Sequence, residues 1–488
     1  MKLPQKFQRK RQKRRKAPAQ HISLPLLSVV IAFILSRLFY SSKGVCFDAG
    51  PLTWYWQYID PVLLKENLLQ SLYYLHTQPP LFNLFLGLGL KLFSDYTTFF
   101  GLSYISLGLI LALSLYLLMN RLGVSDRLSA GLTILFITSP SCILYEKWLF
   151  YTYPTTTLLS VSALFLHRFL KKTDFTNGIC FFSLLSAIVL IRSLFHIFWF
   201  TLFALIIVLC KHKDWKKVAF SCSLPFALLF FLYAKNLYLF GSFSTSTWLG
   251  MNLSKMTTFK LPIDEHISLA KEGKLSKFSL IAPFSDMNRY LPYLSESRKS
   301  GIPVLDQQRK STGAVNLNNI GYIEVSRRYL EDAIYVLKNH PEAYISGVKE
   351  AYTHFLTPST DNIFLESNRK HIQGIDRFYN LIFCGQVFTN TKVGLFIAIG
   401  LPILFLYLSI LILISLKRPV DLAFVLTLLF IWTNIAYVSV VGNMVEVGEN
   451  NRFRFIIDPL FLVILGLFME SVIMRVKRKI FKKFKKKM

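Results

Sequence analysis

The chain has 488 residues, 53% of them hydrophobic, 15% aromatic and only 17% charged, with a formal net charge of +29. A soluble domain carries roughly 25% charged residues, and several runs here exceed the roughly 18 apolar residues that mark a membrane-spanning helix, which excludes an ordinary soluble protein. The charge does not point to nucleic acid either: nine Lys/Arg lie within residues 1–16 and nine within 475–487, the distribution of cytoplasmic anchors that obey the positive-inside rule and touch anionic lipid.

The expected fold is all-α: a polytopic transmembrane helical bundle of about 10–12 spans, with interfacial helices and a mostly helical external loop subdomain. A basic cytoplasmic tail (1–22) precedes a first retained span at about 23–40. The first external loop, 41–78, holds Asp48 and Asp60 among Trp54, Trp56 and several tyrosines. Asp60-Pro61 has the form of a helix start, a capping carboxylate followed by proline at the first helical position. From there Leu64, Leu68, Leu72 and Leu75 share one face, the pattern of a helix lying along a membrane surface.

Apolar runs follow at 79–93, 98–119, 128–145, 149–168, 178–191, 194–210 and 218–234. Basic clusters at 168–172 and 211–217 mark cytoplasmic ends, which places Glu146 and Lys235 outside. Arg121 and Arg127 also read as cytoplasmic. That requires an odd number of crossings between Gln78 and Met119, where two apolar runs stand; 79–93, with two prolines, two glycines and Lys91, is the weaker of them. The segment 23–235 forms an N-terminal transmembrane core, and 236–391 is an extracytoplasmic loop region. Within that loop, Tyr344, Val348, Tyr352 and Phe355 fall on one helical face. Transmembrane helices in 392–474 and a basic tail, 475–488, close the chain, with Lys417-Arg418 inside. The six cysteines show no metal-ligand spacing.

Ionisable residues are sparse in the middles of the spans and gather at the outer rim, whereas ion pumps and coupled transporters carry them near the midplane. Asp60 and Asp48 are the candidate general bases: an oxygen nucleophile attacking an activated sugar must lose its proton, and a carboxylate can accept it. Asp60, held by the start of the helix, is favoured over Asp48, which lies on a Gly-Pro-flanked loop. A helix cap accounts equally well for Asp60, and a solvated loop for Asp48. Glu146 is either a surface partner of Lys147 or a residue that orients the acceptor. Lys235, Arg452 and Arg454, at external span ends, are interfacial anchors or a clamp for a departing lipid phosphate. Arg192 and His196 could serve likewise, although a structural turn between two short helices explains them as well. His76, followed by Gln78-Pro79-Pro80, could position a substrate hydroxyl or act as a cap. Metalloprotease, nucleotide-triphosphatase and serine-hydrolase motifs are absent.

The first span, the acidic loop and the element HTQPPLFNLFLGL together resemble the integral-membrane GT-C glycosyltransferases. The likeness is to the branch of dolichyl-phosphate-mannose–protein mannosyltransferases and bacterial aminoarabinose transferases. In that branch a His-Pro-Pro-Leu-like element follows the acidic loop; here His76-Thr77-Gln78-Pro79-Pro80-Leu81 is two residues longer. The closing ENNRFRFIIDPLFLVILG is similar to the Arg-rich lead-in to a late span in bacterial members. The resemblance implies inverting transfer of a sugar from a polyprenyl- or dolichyl-phosphate carrier to a hydroxyl of an acceptor protein, glycan or lipid on the extracytoplasmic side. It implies membrane lipids and the lipid-linked donor as partners, no nucleic acid and no cofactor, and it leaves a divalent metal open. It places the family's acidic residue at Asp60 or Asp48, although the family's Asp-Glu and Asp-x-x-x-Tyr patterns are not clearly present. The corresponding location is the bacterial cell (inner) membrane, or the endoplasmic reticulum membrane in a eukaryote. A lipid-linked glycan transporter, or a membrane protein that binds lipid-linked sugar without catalysis, are the competing readings.

Overall fold

A computed structural model describes residues 23–294, 299–386, 392–417 and 421–487, with side chains to 483. The basic tail 1–22 and Arg418 lie outside the described residues. Among those described the chain is all-helical, and the only extended pairings are two isolated bridges. Six helices are long and apolar enough to cross a membrane: Leu24–Ser42, Tyr96–Leu122, His212–Phe240, Leu395–Leu416, Leu422–Val445 and Asn450–Lys483. The pair Asp126–Ile137 and Pro140–Glu146, bent by 60° at Ser139-Pro140, makes a seventh candidate. The protein is therefore a multi-pass integral membrane protein.

The bundle is organised around Thr152–Lys171, which packs against five other helices and has Thr155, Thr156, Thr157, Ser160 and Ser162 all buried. Such a run lowers the mean hydropathy of the helix, yet each hydroxyl donates within the helix itself. Thr155 Oγ1 reaches Tyr151 O at 2.7 Å and Thr156 Oγ1 reaches Thr152 O at 2.9 Å, so burying them leaves few unmet donors.

Pro80–Leu92 has 13 residues, about 20 Å of helix, against a hydrocarbon core of about 30 Å. It is too short to cross. Gly89 lies against Phe100, the nearest ring atom 2.4 Å from where a Cβ would stand, and the helix folds back on the start of Tyr96–Leu122. One crossing then remains between Gln78 and Arg121, as the charge distribution requires. The end of the bundle that carries 41–78, 241–294, 299–386 and 392–394 is called the loop side below.

The segment after Asp60 is two short helices, Pro61–Glu66 and Leu68–Tyr73, interrupted at Asn67. Their leucine face does not meet the bilayer. Leu64 and Leu68 are buried on Pro80–Leu92, where Gly87 admits the Leu68 side chain, while Leu69 and Tyr73 point outward. In the loop region, Gly321–Asn339 packs on Leu249–Met256 over an aromatic core of Trp248, Tyr290, Tyr322 and Tyr329. The helix Pro341–Phe355 buries Ala343, Gly347, Ala351 and Phe355. Tyr344, Val348 and Tyr352 flank this small-residue stripe, because Gly347 lets the Met256 backbone approach to where a Cβ would meet its carbonyl at 2.4 Å.

Candidate functional site

The two aspartates of the first loop have different surroundings. Asp60 is 4% exposed and accepts three hydrogen bonds: from Val62 N at 2.9 Å, as helix cap, and from Ser311 N and Ser311 Oγ, both at 2.6 Å. The serine sits at the tip of a hairpin closed by the Arg309–Val315 bridge, with Gly313 in the left-handed region. The same hairpin donates from Lys310 Nζ to Tyr55 O at 2.6 Å and from Thr312 Oγ1 to Thr53 O at 2.5 Å. Burial pulls the Lys310 ammonium down to about 8, with Asp60 opposing the shift.

Asp48 is half-buried. Its backbone pairs with the segment after Glu146, through Asp48 N to Lys147 O at 2.7 Å and Leu149 N to Asp48 O at 3.0 Å. Its carboxylate accepts from Gly50 N at 2.9 Å and makes a long 3.4 Å contact with Ser367 Oγ. Asp48 thus stands at a fixed place on the loop side with a less occupied carboxylate than Asp60.

Glu146 is completely buried, and its partner is Arg37, not Lys147. Arg37 Nη2 meets Glu146 Oε2 at 2.6 Å, Arg37 Nε meets Oε1 at 3.1 Å, and Tyr153 Oη donates at 2.9 Å. Room for the pair comes from Gly108, where a Cβ would stand 2.2 Å from Glu146 Oε2. The sequence signal for this partner was a lone charge inside the first apolar span, which demands a partner.

His76 is buried, with Nδ1 2.8 Å from Thr247 Oγ1 and Nε2 3.0 Å from Asn318 O. Asn318 Oδ1 accepts from His76 N at 3.1 Å. The ring therefore ties the first loop to two parts of the loop region, and burial lowers its pKa to about 4, against the bond to Asn318. Gln78 is buried directly after it, ahead of Pro80–Leu92. Lys235 Nζ donates to Tyr73 O at 2.6 Å and lies 3.4 Å from Leu75 O, at the C-terminal end of Leu68–Tyr73.

The two late arginines also part ways. Arg454 is saturated: it donates to Phe355 O, Thr357 O and Ser359 Oγ, and Asp458 lies 3.5 Å from its Nε. It fastens the end of Pro341–Phe355 to the last helix. Arg452, two residues earlier on the same helix, points to another face, since each residue advances about 100°. There it meets Glu446 at 3.1 Å and Glu449 at 2.9 Å. Burial opposes the charge of Glu446, but Arg452, Lys255 and Arg192 together outweigh it and hold that carboxyl below its ordinary value; burial prevails at Glu449 and pushes it up.

Arg192 converges on the same place from the turn after Phe175–Ile191. Its guanidinium lies 4.6 Å from the Phe453 ring centre and 5.3 Å from that of Tyr151, while Arg452 lies 5.3 Å from Phe453 and 5.2 Å from Phe150. Both arginines are buried, and the Nη1 of each is a buried donor with no hydrogen-bond partner. Lys255 donates to Val447 O at 2.9 Å beside them. Two cations with unmet donors beside one ring offer the hydrogen-bonding chemistry that an anion receptor needs.

An aromatic layer connects this receptor with Asp48. Trp148, bridged to Asp48, donates from Nε1 to Tyr55 Oη at 2.6 Å and stacks on Phe150 at 4.4 Å, and Phe150 lies under Arg452. No group of three or more His, Cys, Asp and Glu that could hold a metal ion occurs among the described residues. In comparisons with family models, curated proteins and solved structures, nothing matches this chain.

Proposed function

We propose that this protein is a glycosyltransferase that moves a sugar from a polyprenyl- or dolichyl-phosphate carrier to an acceptor hydroxyl at the extracytoplasmic rim of the membrane. The observation that carries this reading is the Arg192–Arg452 pair: two buried guanidinium groups, each with an unpartnered donor, both close to the Phe453 ring. A phosphate that leaves as an anion needs such donors already in place, and in a low-dielectric site they act strongly on developing charge. Glu446 and Glu449 temper the positive field, so the receptor binds its anion without being an indiscriminate sink.

In this reading the acceptor hydroxyl loses its proton to a carboxylate and attacks the anomeric carbon as the sugar–phosphate bond breaks, inverting the centre in a single displacement. Asp48 fits the role of base better than Asp60, because Asp60 is committed to a helix cap and the 309–315 hairpin. Glu146 supports Asp48 indirectly, by anchoring the segment to which its backbone is paired. Lys235, His76 and Arg454 hold the scaffold.

The test is transfer of radiolabel from a polyprenyl-phosphate sugar to acceptor by the protein in lipid nanodiscs. Loss of a general base costs about 10²–10⁴-fold in rate, so Asp48→Asn should fall by that much while folding normally. Asp60→Asn, which keeps the cap's shape, should fall less. Full turnover in both variants would remove the carboxylate mechanism. Tight donor binding with no transfer by the unmodified protein would leave a binding protein instead.

A further inference from the structure

The helix Gln373–Phe383 is built the wrong way round for a helix packed on a protein core. Its buried positions are polar, Asp376 and Asn380, while Phe378, Ile382 and Phe383 are exposed at 63%, 47% and 43%. The polar back is fastened firmly. Arg369 Nε donates to Asp376 Oδ2 at 2.8 Å and its Nη1 reaches Asp361 at 3.1 Å; Asn380 Nδ2 donates to Thr360 Oγ1 at 3.0 Å and to Asp376 Oδ1 at 3.1 Å. These bonds fix the helix's rotation, and with it the outward direction of the apolar face. An exposed face held this rigidly calls for an occupant.

We propose that Gln373–Phe383 is an in-plane membrane anchor, with Phe378, Ile382 and Phe383 seated in the headgroup–acyl boundary of the loop-side leaflet. Continuity with the lipid-facing surface argues for it. The helix ends at Cys384, whose carbonyl accepts from Phe396 N at 3.1 Å, at the start of the span Leu395–Leu416. That span is only 11% buried within the protein and exposes Phe396, Ile399 and Ile403, so its surroundings are the bilayer. At its other end the helix lies beside the loop-side end of the first span, where His371 Nδ1 would stand 3.2 Å from a Cβ on Gly44. That span exposes Leu35, Leu38 and Phe39 to lipid.

Charge agrees with placement. Lys370, His371 and Arg377 are exposed around the apolar face, the composition of a helix lying among phosphate headgroups. A second copy of the chain is a poorer occupant. Three side chains on one short helix cover far less than the roughly 800 Å² that each partner buries in a standard interface.

The test is depth measurement by nitroxide labelling in palmitoyl-oleoyl phosphatidylcholine vesicles. Phe378→Cys is labelled in full-length protein whose native cysteines are replaced by serine or alanine and whose folding is confirmed by a monodisperse elution profile. Lys271→Cys, in the loop region, supplies the aqueous reference; Leu406→Cys, 60% exposed within a span, supplies the bilayer reference. The oxygen-to-nickel accessibility ratio at 378 should be several-fold above that at 271 and clearly below that at 406. A ratio equal to that at 271 would overturn the proposal, and so would one equal to that at 406. Immobilisation at 378 with dipolar broadening would overturn it in favour of a second copy. This outcome is independent of whether the protein transfers sugar.

Discussion

Replacing Arg192 by methionine separates an anion receptor from a structural arginine. Methionine keeps an apolar stem against Tyr151 and Phe453 but removes the charge and the unpartnered Nη1 donor. Charge-assisted hydrogen bonds to an anion are worth about 1.5–3 kcal/mol, or about 10- to 150-fold in affinity. No ion pair involving Arg192 occurs within the protein among the described residues, so its removal strands no carboxylate. Glu446 and Glu449 feel its charge but keep Arg452 as their ion-pair partner, and burying a guanidinium with an unmet donor is a cost to the fold. The unliganded protein should therefore be as stable as before, or more so. The assay is thermal unfolding in detergent with and without polyprenyl phosphate. At ligand about 100 times Kd the stabilisation is about 2.7 kcal/mol; a 100-fold weaker site at the same concentration retains about 0.4 kcal/mol. The reasoning fails if Arg192→Met unfolds more readily while keeping the full ligand-induced shift.

Arg454→Met should behave in the opposite way. It strips donors from Phe355 O, Thr357 O and Ser359 Oγ and leaves Asp458 without its cation, so a loss of about 3–5 kcal/mol in stability is expected, readable as a lower unfolding temperature without ligand. Arg37→Met should cost a similar amount by leaving Glu146 charged and buried, and Arg37→Met with Glu146→Met should recover most of it; a double variant no more stable than the single would refute the pairing argument. His76 predicts a pH effect. Because its folded pKa is depressed to about 4, the unfolded chain takes up the proton first, so its contribution is fully present above about 6.5 and declines by up to about 1.4 kcal/mol per pH unit as pH falls towards 4. His76→Gln should flatten unfolding temperature against pH in that window, and an unchanged profile would refute the assignment.

The resemblance noted in the sequence suggested the chemistry of the transferase proposal, the Arg192–Arg452 pair is the structural observation that carries it, and the packing refines which residues could serve it. Arg452 and Arg454 look equivalent in ENNRFRF, yet one faces two carboxylates and Arg192 while the other disappears into carbonyls. Helical geometry separates their directions, but only the packed chain says what lies in each direction. The same holds for the aspartates. Asp60-Pro61 announced its cap from local residues alone, whereas the second demand on Asp60 comes from Ser311, 251 residues later. His76 likewise looked available to substrate until Thr247 and Asn318 closed on it.

The sequence by itself determined that this chain lives in a membrane as a helical bundle. An apolar run must satisfy its own backbone hydrogen bonds in lipid, and the helix is the local way to do so. It also determined the flanking charges and the start of the helix at Pro61, which depend on residues a turn or less apart. Tertiary structure decided what shares a face. It put Pro80–Leu92 on the protein instead of across the bilayer, turned the Leu64–Leu68 face inward, and brought Arg192 to Arg452 across 260 positions. Those choices depend on shape and on which polar groups remain unmet once the helices pack, and neither property belongs to any single stretch of chain.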